Sequence, residues 1–215
     1  MSWQVDHVVV GAATLEQGAA WCAATLGVLP GPGGKHPLMG THNLLLSLAS
    51  PAFPRCYLEI IAIDPEAPPP ARRRWFDLDD VALRATLAAG PRLIHWVARC
   101  DDATAECAAL REAGIERGEV LQAERDTPRG LLRWRIAVRP DGQRLHGGAL
   151  PTLIEWGAVH PADSLPASGL QLESLGVGRL PAAAAARLPA NVSNDEGFDA
   201  TLATPLGRVR LEGTR

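Results

Sequence analysis

Short apolar stretches, each bounded by glycine, proline or a capping residue, recur along the chain. "VDHVVVG" (5–11) predicts a β-strand. "TLEQGAAWCAATLG" then predicts a helix. Thr14 stands at the cap with Gln17 three residues on, Leu15, Ala19, Cys22 and Leu26 recur at helical spacing, and Gly27 marks the stop. "PGPGGKHPLMG" has the composition of a loop with room for a short strand. "THNLLLSLA" and "RCYLEIIAI" predict two further strands.

"DPEAPPPARRR" reads as a linker, because three consecutive prolines continue neither a helix nor a central strand. A short helix over "DLDDVALRATLAAGP" follows. The opening order then repeats: strand "RLIHWVARC", helix "DDATAECAALREAGI" capped by Asp101 or Asp102 and stopped at Gly114, strands "RGEVLQAER" and "LLRWRIAV" joined by "DTPRG", and strand "PTLIEWGAV". This is a diverged tandem duplication. The tail starts the pattern a third time, with strand "LQLESLGV", helix "LPAAAAARL" and a hairpin of "FDATLAT" and "GRVRLEG". The expected units are 1–64, a linker with a short helix over 65–91, 92–160, and a partial third unit over 161–215 that serves as structural cover or an oligomer contact.

Four of the apolar strands carry one ionisable group near the middle: His7, Glu59, His95 and Glu155. Side chains alternate faces along a strand, and here both faces are largely apolar, so the four groups are expected in an interior or a deep groove. An isolated carboxylate there must be paired, protonated or bound to a metal. Each repeat supplies His from its first strand and Glu from its last, 52 residues apart in one repeat and 60 in the other. If the repeats pair with pseudo-two-fold symmetry, all four can converge. Two imidazoles and two carboxylates suit one divalent cation with room for water or substrate; the alternative is two His–Glu hydrogen-bonded pairs in a metal-free cavity.

Composition narrows the partners. The formal charge of −3 on 215 residues gives no basic excess for nucleic acid. The basic run Arg72 to Arg74 is followed, two residues on, by "DLDD" and reads as a solvated linker face. Cys22, Cys56, Cys100 and Cys107 show no C-x-x-C spacing, so reduced thiols are expected, and with no signal peptide at the start the expected compartment is the cytoplasm. Apolar runs fall short of the roughly 20 residues of a membrane span. The expected partner is a small molecule, and the expected state a monomer or homodimer.

The placement of "DHVVVG", "YLEII", "IHWVA" and "LIEWG" resembles the vicinal oxygen chelate superfamily, which includes glyoxalase I, extradiol dioxygenases and bleomycin-resistance proteins. "GGKHPLMGTHN…YLEIIA" and "PTLIEWGAVHP" are similar to its glyoxalase-like domain branch. The resemblance covers about residues 5–160. It implies an α+β fold of tandem βαβββ modules forming a curved mixed sheet around a cavity. It also implies His7, Glu59, His95 and Glu155 as ligands of one divalent ion (Zn, Ni, Mn, Fe or Mg). The implied activity is lyase or isomerase chemistry on a small oxygen-rich molecule through a chelated enediolate-like intermediate, with Glu155 and Glu59 as the catalytic carboxylates. The alternative is a non-catalytic binder of the bleomycin-resistance type with a metal-free cavity. No glutathione-binding set is recognisable.

His36, Thr41, His42 and Asn43 fall in the segment that the resemblance places at the cavity mouth, and are candidate substrate contacts. Arg133 and Arg135 share one strand face and Trp134 takes the other. Arg133 or Arg135, Arg133 first, is the candidate for a substrate carboxylate; the alternative is an outward arginine pair on a half-exposed strand, since the sequence does not say which face meets the cavity. Trp96 and Trp156, offset by one from the candidate ligands, are expected to pack between sheet and helix.

Overall fold

A computed structural model of the chain describes residues 3–127, 130–195 and 197–214. The first module is βαβββ: β1 (Gln4–Gly11), α1 (Leu15–Trp21, prolonged by a π-helical turn over Cys22–Leu26), β2 (Gly31–His36), β3 (Thr41–Ser47) and β4 (Tyr57–Ile63). The linker carries α2 (Val81–Ala89). The second module repeats the order as β5 (Arg92–Arg99), α3 (Ala103–Glu112), β6 (Glu119–Thr127), β7 (Gly130–Val138) and β8 (Thr152–Trp156). Of the "DTPRG" connection, Pro128 and Arg129 lie outside the described residues.

The helix ends follow local chemistry. Thr14 Oγ1 accepts from Gln17 N at 3.1 Å, the Gln17 side chain reaches back to Ala13 N, and Gly27 ends the helical run at φ 74°. Asp80 and Asp102 cap α2 and α3. The glycine- and proline-rich segment, expected as a loop with room for a short strand, supplies β2, an edge strand, where a proline costs no ladder hydrogen bond.

The two modules share one curved eight-stranded sheet in the order β2-β3-β4-β1-β5-β8-β7-β6. β1 and β5 join them antiparallel, while β1–β4 and β5–β8 pair parallel within each module. One face packs on α1 and α3 through Val8, Val10, Leu58, Ile60, Cys22 and Leu110. The other is covered by the linker and α2, with Trp75, Phe76, Leu83 and Leu87 against Val9, Ile61 and Val97. The linker is not a solvated strap. Arg74 bonds Asp79 at 2.6 Å and Gly40 O at 3.5 Å, and Asp77 binds Arg144 at 2.9 Å. Phe76 and Asp77 sit at φ 60° and 59°, a conformation costly for L side chains.

The tail forms β9 (Gln171–Val177), α4 (Ala182–Ala185), β10 (Val192–Ser193), β11 (Phe198–Thr204) and β12 (Gly207–Glu212). Counting the two-residue β10, its element order is again βαβββ, but the wiring differs: β10-β9-β11-β12, with β9 beside β11 antiparallel. Leu172, Leu175, Ala200 and Leu202 join the helix-side core, and Leu172 N donates to Leu48 O. The tail thus buries apolar surface of the main sheet. All four cysteines are free. Among the described residues, no helix is long and apolar enough to cross a membrane.

Candidate active site

On the linker-side face of the sheet, β1 and β4 bring His7 and Glu59 together. The β1–β5 ladder shifts register between Val5 and His7, and this irregularity at Asp6 lets its carboxylate turn to its neighbour's ring. His7 Nδ1 donates to Asp6 Oδ1 at 2.7 Å. Asp6 is fully buried and also accepts from His160 Nε2 and Trp156 Nε1, each at 2.9 Å. Burial pushes the Asp6 carboxyl up, but hydrogen bonds from His160 and His7 overcome it and hold the group well below the usual carboxylate range. An ionised Asp6 fixes the His7 tautomer with its proton on Nδ1 and its Nε2 lone pair towards the cavity.

Glu59 Oε2 lies 3.6 Å from that Nε2, and its Oε1 accepts from Asn43 Nδ2 at 2.6 Å. Asn43 is oriented in turn by Gly34 N–H, which donates to Oδ1 at 2.7 Å. His36 Nδ1 bonds Thr41 Oγ1 at 3.0 Å. Burial, reinforced by the Arg125 charge, drives the His36 imidazole down to about 3, so it is neutral. Tyr57 stacks on His7 at 4.6 Å between ring centroids, its hydroxyl pushed well up by burial and by the charges of Asp6 and Glu59.

The cavity holding these groups is small, about 40 Å³, and opens to solvent at its mouth. Arg125 of β6 closes one side, at the point where the two edges of the sheet approach each other. A side chain on Gly34 of β2 would collide with the Arg125 guanidinium, and one on Gly33 with Asn43. That close approach is what the glycine pair of "GPGGK" permits. Arg125 Nε and Nη1 and Trp75 Nε1 are buried without a hydrogen-bond partner. Unmet buried donors beside a base mark a place for acceptor oxygens. The remaining wall is apolar, including Phe76, Leu132, Trp134 and Trp156.

The sequence candidates divide. His7, Glu59, His36 and Asn43 line one cavity, and Thr41 supports it by holding His36. His42, one residue off, is turned to the opposite side, where its Nδ1 lies 3.9 Å from Asp64. Arg133 and Arg135 face outward, to Glu124 at 3.0 Å and Glu155 at 2.9 Å, and Trp134 faces in. His95 lies on the cavity side but beyond Phe76, 4.9 Å from its ring, with Nδ1 on Gly148 O and Nε2 on Thr152. Glu155 points to the helix side, where it accepts from Ala103 N at the start of α3 at 3.0 Å. Trp156, expected between sheet and helix, therefore turns inward onto Asp6, whereas Trp96 does join the helix-side core.

Strand register explains why the quartet does not assemble. His7 pairs with Tyr57 across the parallel ladder of the first module, and Val97 pairs with Thr152 in the second. Across the β1–β5 ladder His7 faces Val97 and Val9 faces His95, so the two histidines hold equivalent places. The second-module place of Glu59, two residues past the level of its histidine, falls to Thr152, whose hydroxyl meets His95 at 3.0 Å, and Glu155 lies three residues further on, on the other face. Among the described residues, no three His, Cys, Asp or Glu side chains are placed to hold an ion. The donors present do not fit the four-ligand centre implied by the resemblance.

Asp6, Arg125, Trp75 and His160 complete the site without having been singled out as site residues. The inward alternation of Ala123, Arg125 and Thr127 against Gln122, Glu124 and Asp126 is the one local signal that could have found Arg125. Glu155→Gln is expected to leave ligand binding and turnover intact while lowering stability by about 1–3 kcal/mol, because Arg135 and the start of α3 lose a charged acceptor; urea unfolding beside an activity assay checks it.

A family model described as a glyoxalase-like domain matches residues 5–193. Among solved structures, the chain is similar to a hypothetical protein from Staphylococcus aureus, with a TM-score of 0.55 and 15% identity over 99% of this chain and 86% of that one. It is also similar to methylmalonyl-CoA epimerase from Mycobacterium tuberculosis, at TM-score 0.40 and 19% identity over 71% of this chain and 86% of that one. The Streptomyces coelicolor methylmalonyl-CoA epimerase gives 0.46 and 19% over 74% and 99%. No curated protein matches the chain.

Proposed function

Because the chain belongs to the glyoxalase-like domain family, within the vicinal oxygen chelate superfamily, we propose that it is a proton-transferring enzyme of the isomerase or lyase type acting on a small oxygen-rich anion. The observation that carries this reading is one buried cavity that joins an Asp-backed imidazole, a second base 3.6 Å away and an unpaired guanidinium.

The chemistry follows from the groups. His7 Nε2 takes a proton from a substrate carbon beside a carbonyl, and the electron pair of the broken C–H bond moves onto the carbonyl oxygen, giving an enolate, which is an enediolate where that carbon carries a hydroxyl. Asp6, ionised, stabilises the imidazolium that forms. Arg125 and the Trp75 N–H supply donors for the developing oxyanion, in a site walled by aromatic side chains, where such donors act more strongly than in water. Glu59, held by Asn43 with its Oε2 3.6 Å from His7 Nε2, takes the abstracted proton from the imidazolium and delivers it to the neighbouring atom, which returns both groups to their starting state. No step runs through a metal, since His7 and Glu59 are not joined by the second His–Glu pair of the expected centre.

The test is solvent deuterium incorporation. A panel of small 2-oxo and 2-hydroxy carboxylates is incubated with the protein in D₂O and followed by proton NMR. Exchange at the carbon next to the carbonyl is expected for a subset, with Arg125→Met raising KM about 30-fold or more, the effect of removing one partner of a buried charged contact. Binding of these acids without any exchange would replace the enzyme by the alternative reading, a sequestering protein.

A further inference from the structure

On the far side of Trp75 and Phe76 from the candidate active site lies a second cavity, with room for a single water-sized body. Its polar wall comprises His95, Arg117, Arg139, Gln143, Arg144 and Thr152, and no aspartate or glutamate lines it. Two of the three arginines are neutralised: Arg144 by Asp77 at 2.9 Å and Arg139 by Asp141 at 3.0 Å. Arg117 is not. It is 3% exposed, its Nη2 donates to Thr152 Oγ1 at 3.0 Å, and its Nε and Nη1 are buried with no partner.

Nothing nearby supplies the missing negative charge. Among the described residues no carboxylate forms an ion pair with Arg117. Burial raises the pKa of the neighbouring Cys107 thiol, which keeps it protonated. His95 is held neutral by burial and by the Arg117 and Arg144 charges. Burial lowers Arg117 itself only to about 10, so the guanidinium is charged at neutral pH. A buried cation with unmet donors needs an anion from outside the chain or a costly unpaired state.

We propose that this cavity is a halide-sized anion site, occupied by chloride in solution and held by the two free N–H groups of Arg117. The cavity is water-sized, and the exposed Gln143 side chain at its wall is free to turn aside for an ion slightly larger than water; the Thr152 hydroxyl, hydrogen-bonded to both Arg117 and His95, fixes the guanidinium in place. The ion acts as a structural counter-charge beneath the Trp75–Phe76 stack. The inference is independent of the proposed reaction, because the two cavities share only that aromatic wall.

The experiment is a thermal melt of the full chain in sodium methanesulfonate and in sodium chloride at equal ionic strength. The wild type is expected to melt about 5 °C higher in chloride, with a saturable dependence on concentration. Arg125→Met is expected to keep that rise and Arg117→Met to lose it. Equal melting temperatures of the wild type in the two salts, or an undiminished rise in Arg117→Met, overturns the site. Should Arg117→Met fail to fold, crystals of the wild type grown in bromide decide: an anomalous peak beside Arg117 supports the site, and an empty cavity overturns it.

Discussion

Replacing His7 with Asn is expected to lower the rate of solvent proton exchange by about 10²–10⁴-fold, the usual contribution of a positioned general base. The variant should fold. Asn is smaller than His, and an amide N–H can still meet the Asp6 carboxylate that His160 and Trp156 also satisfy. Binding of the substrate anion should change little, since Arg125 and Trp75 are untouched. The loss should therefore fall on kcat rather than KM. Asp6→Asn is the companion experiment. Asp6 meets no substrate and acts by holding the His7 tautomer, so its removal should distort the pH dependence of kcat, not merely scale it. A purely structural Asp6 would lower stability and leave the pH profile of the folded fraction in place. Full exchange activity in His7→Asn would move the base to Glu59 and remove the role of the Asp6–His7 pair.

Much of this architecture was legible in the sequence because the signals are local. Thr14, Asp80 and Asp102 cap helices, Gly27 and Gly114 end them, and valine-rich runs form the central strands. The repeat of strand, helix and three strands gave the two modules. His7 and Glu59 were readable because an ionisable group in a doubly covered strand needs a partner. What failed is what periodicity does not encode. Alternation says that Glu155 and Trp156 lie on opposite faces, but not which face is inner, and a shift of one residue exchanges them. The two His–Glu pairs therefore looked equivalent in spelling while differing in register, a difference already present in the unequal spacings of 52 and 60 residues. The same ambiguity hid Arg133 and Arg135 on the outer face. Arg125 was hidden for another reason: its place in the site comes from two sheet edges distant in sequence that meet at Gly34. The linker's role as a cover for the cleft is likewise a tertiary fact, carried by Trp75 and Phe76 inserted between His36 and His95.

Lowering the pH from 7 to 4.5 is expected to remove a large part of the folding stability, and two buried neutral histidines are the reason. The sign follows from proton counting. An unfolded histidine titrates near 6.5, whereas His36 in the native state does so near 3. Between those values the unfolded chain binds a proton that the native chain refuses, so stability falls as pH falls, and it is fully present only above about 6.5. At pH 4.5 the two-unit gap below 6.5 corresponds to about 2.7 kcal/mol from His36 alone. His95, lowered by burial and by the Arg117 and Arg144 charges, acts in the same direction. Asp6 does not offset the loss. Its depressed value means that it is ionised in both states through this window, and its stabilisation is lost only below the ordinary carboxylate range. Against a typical total of about 5–15 kcal/mol, the combined effect brings the protein near acid unfolding. Urea midpoints at pH 7 and 4.5 measure it, and His36→Gln should flatten the difference by about half or more. A midpoint that does not move between the two pH values would mean that water reaches His36 and His95, and that the cleft beneath Trp75 and Phe76 is open in solution.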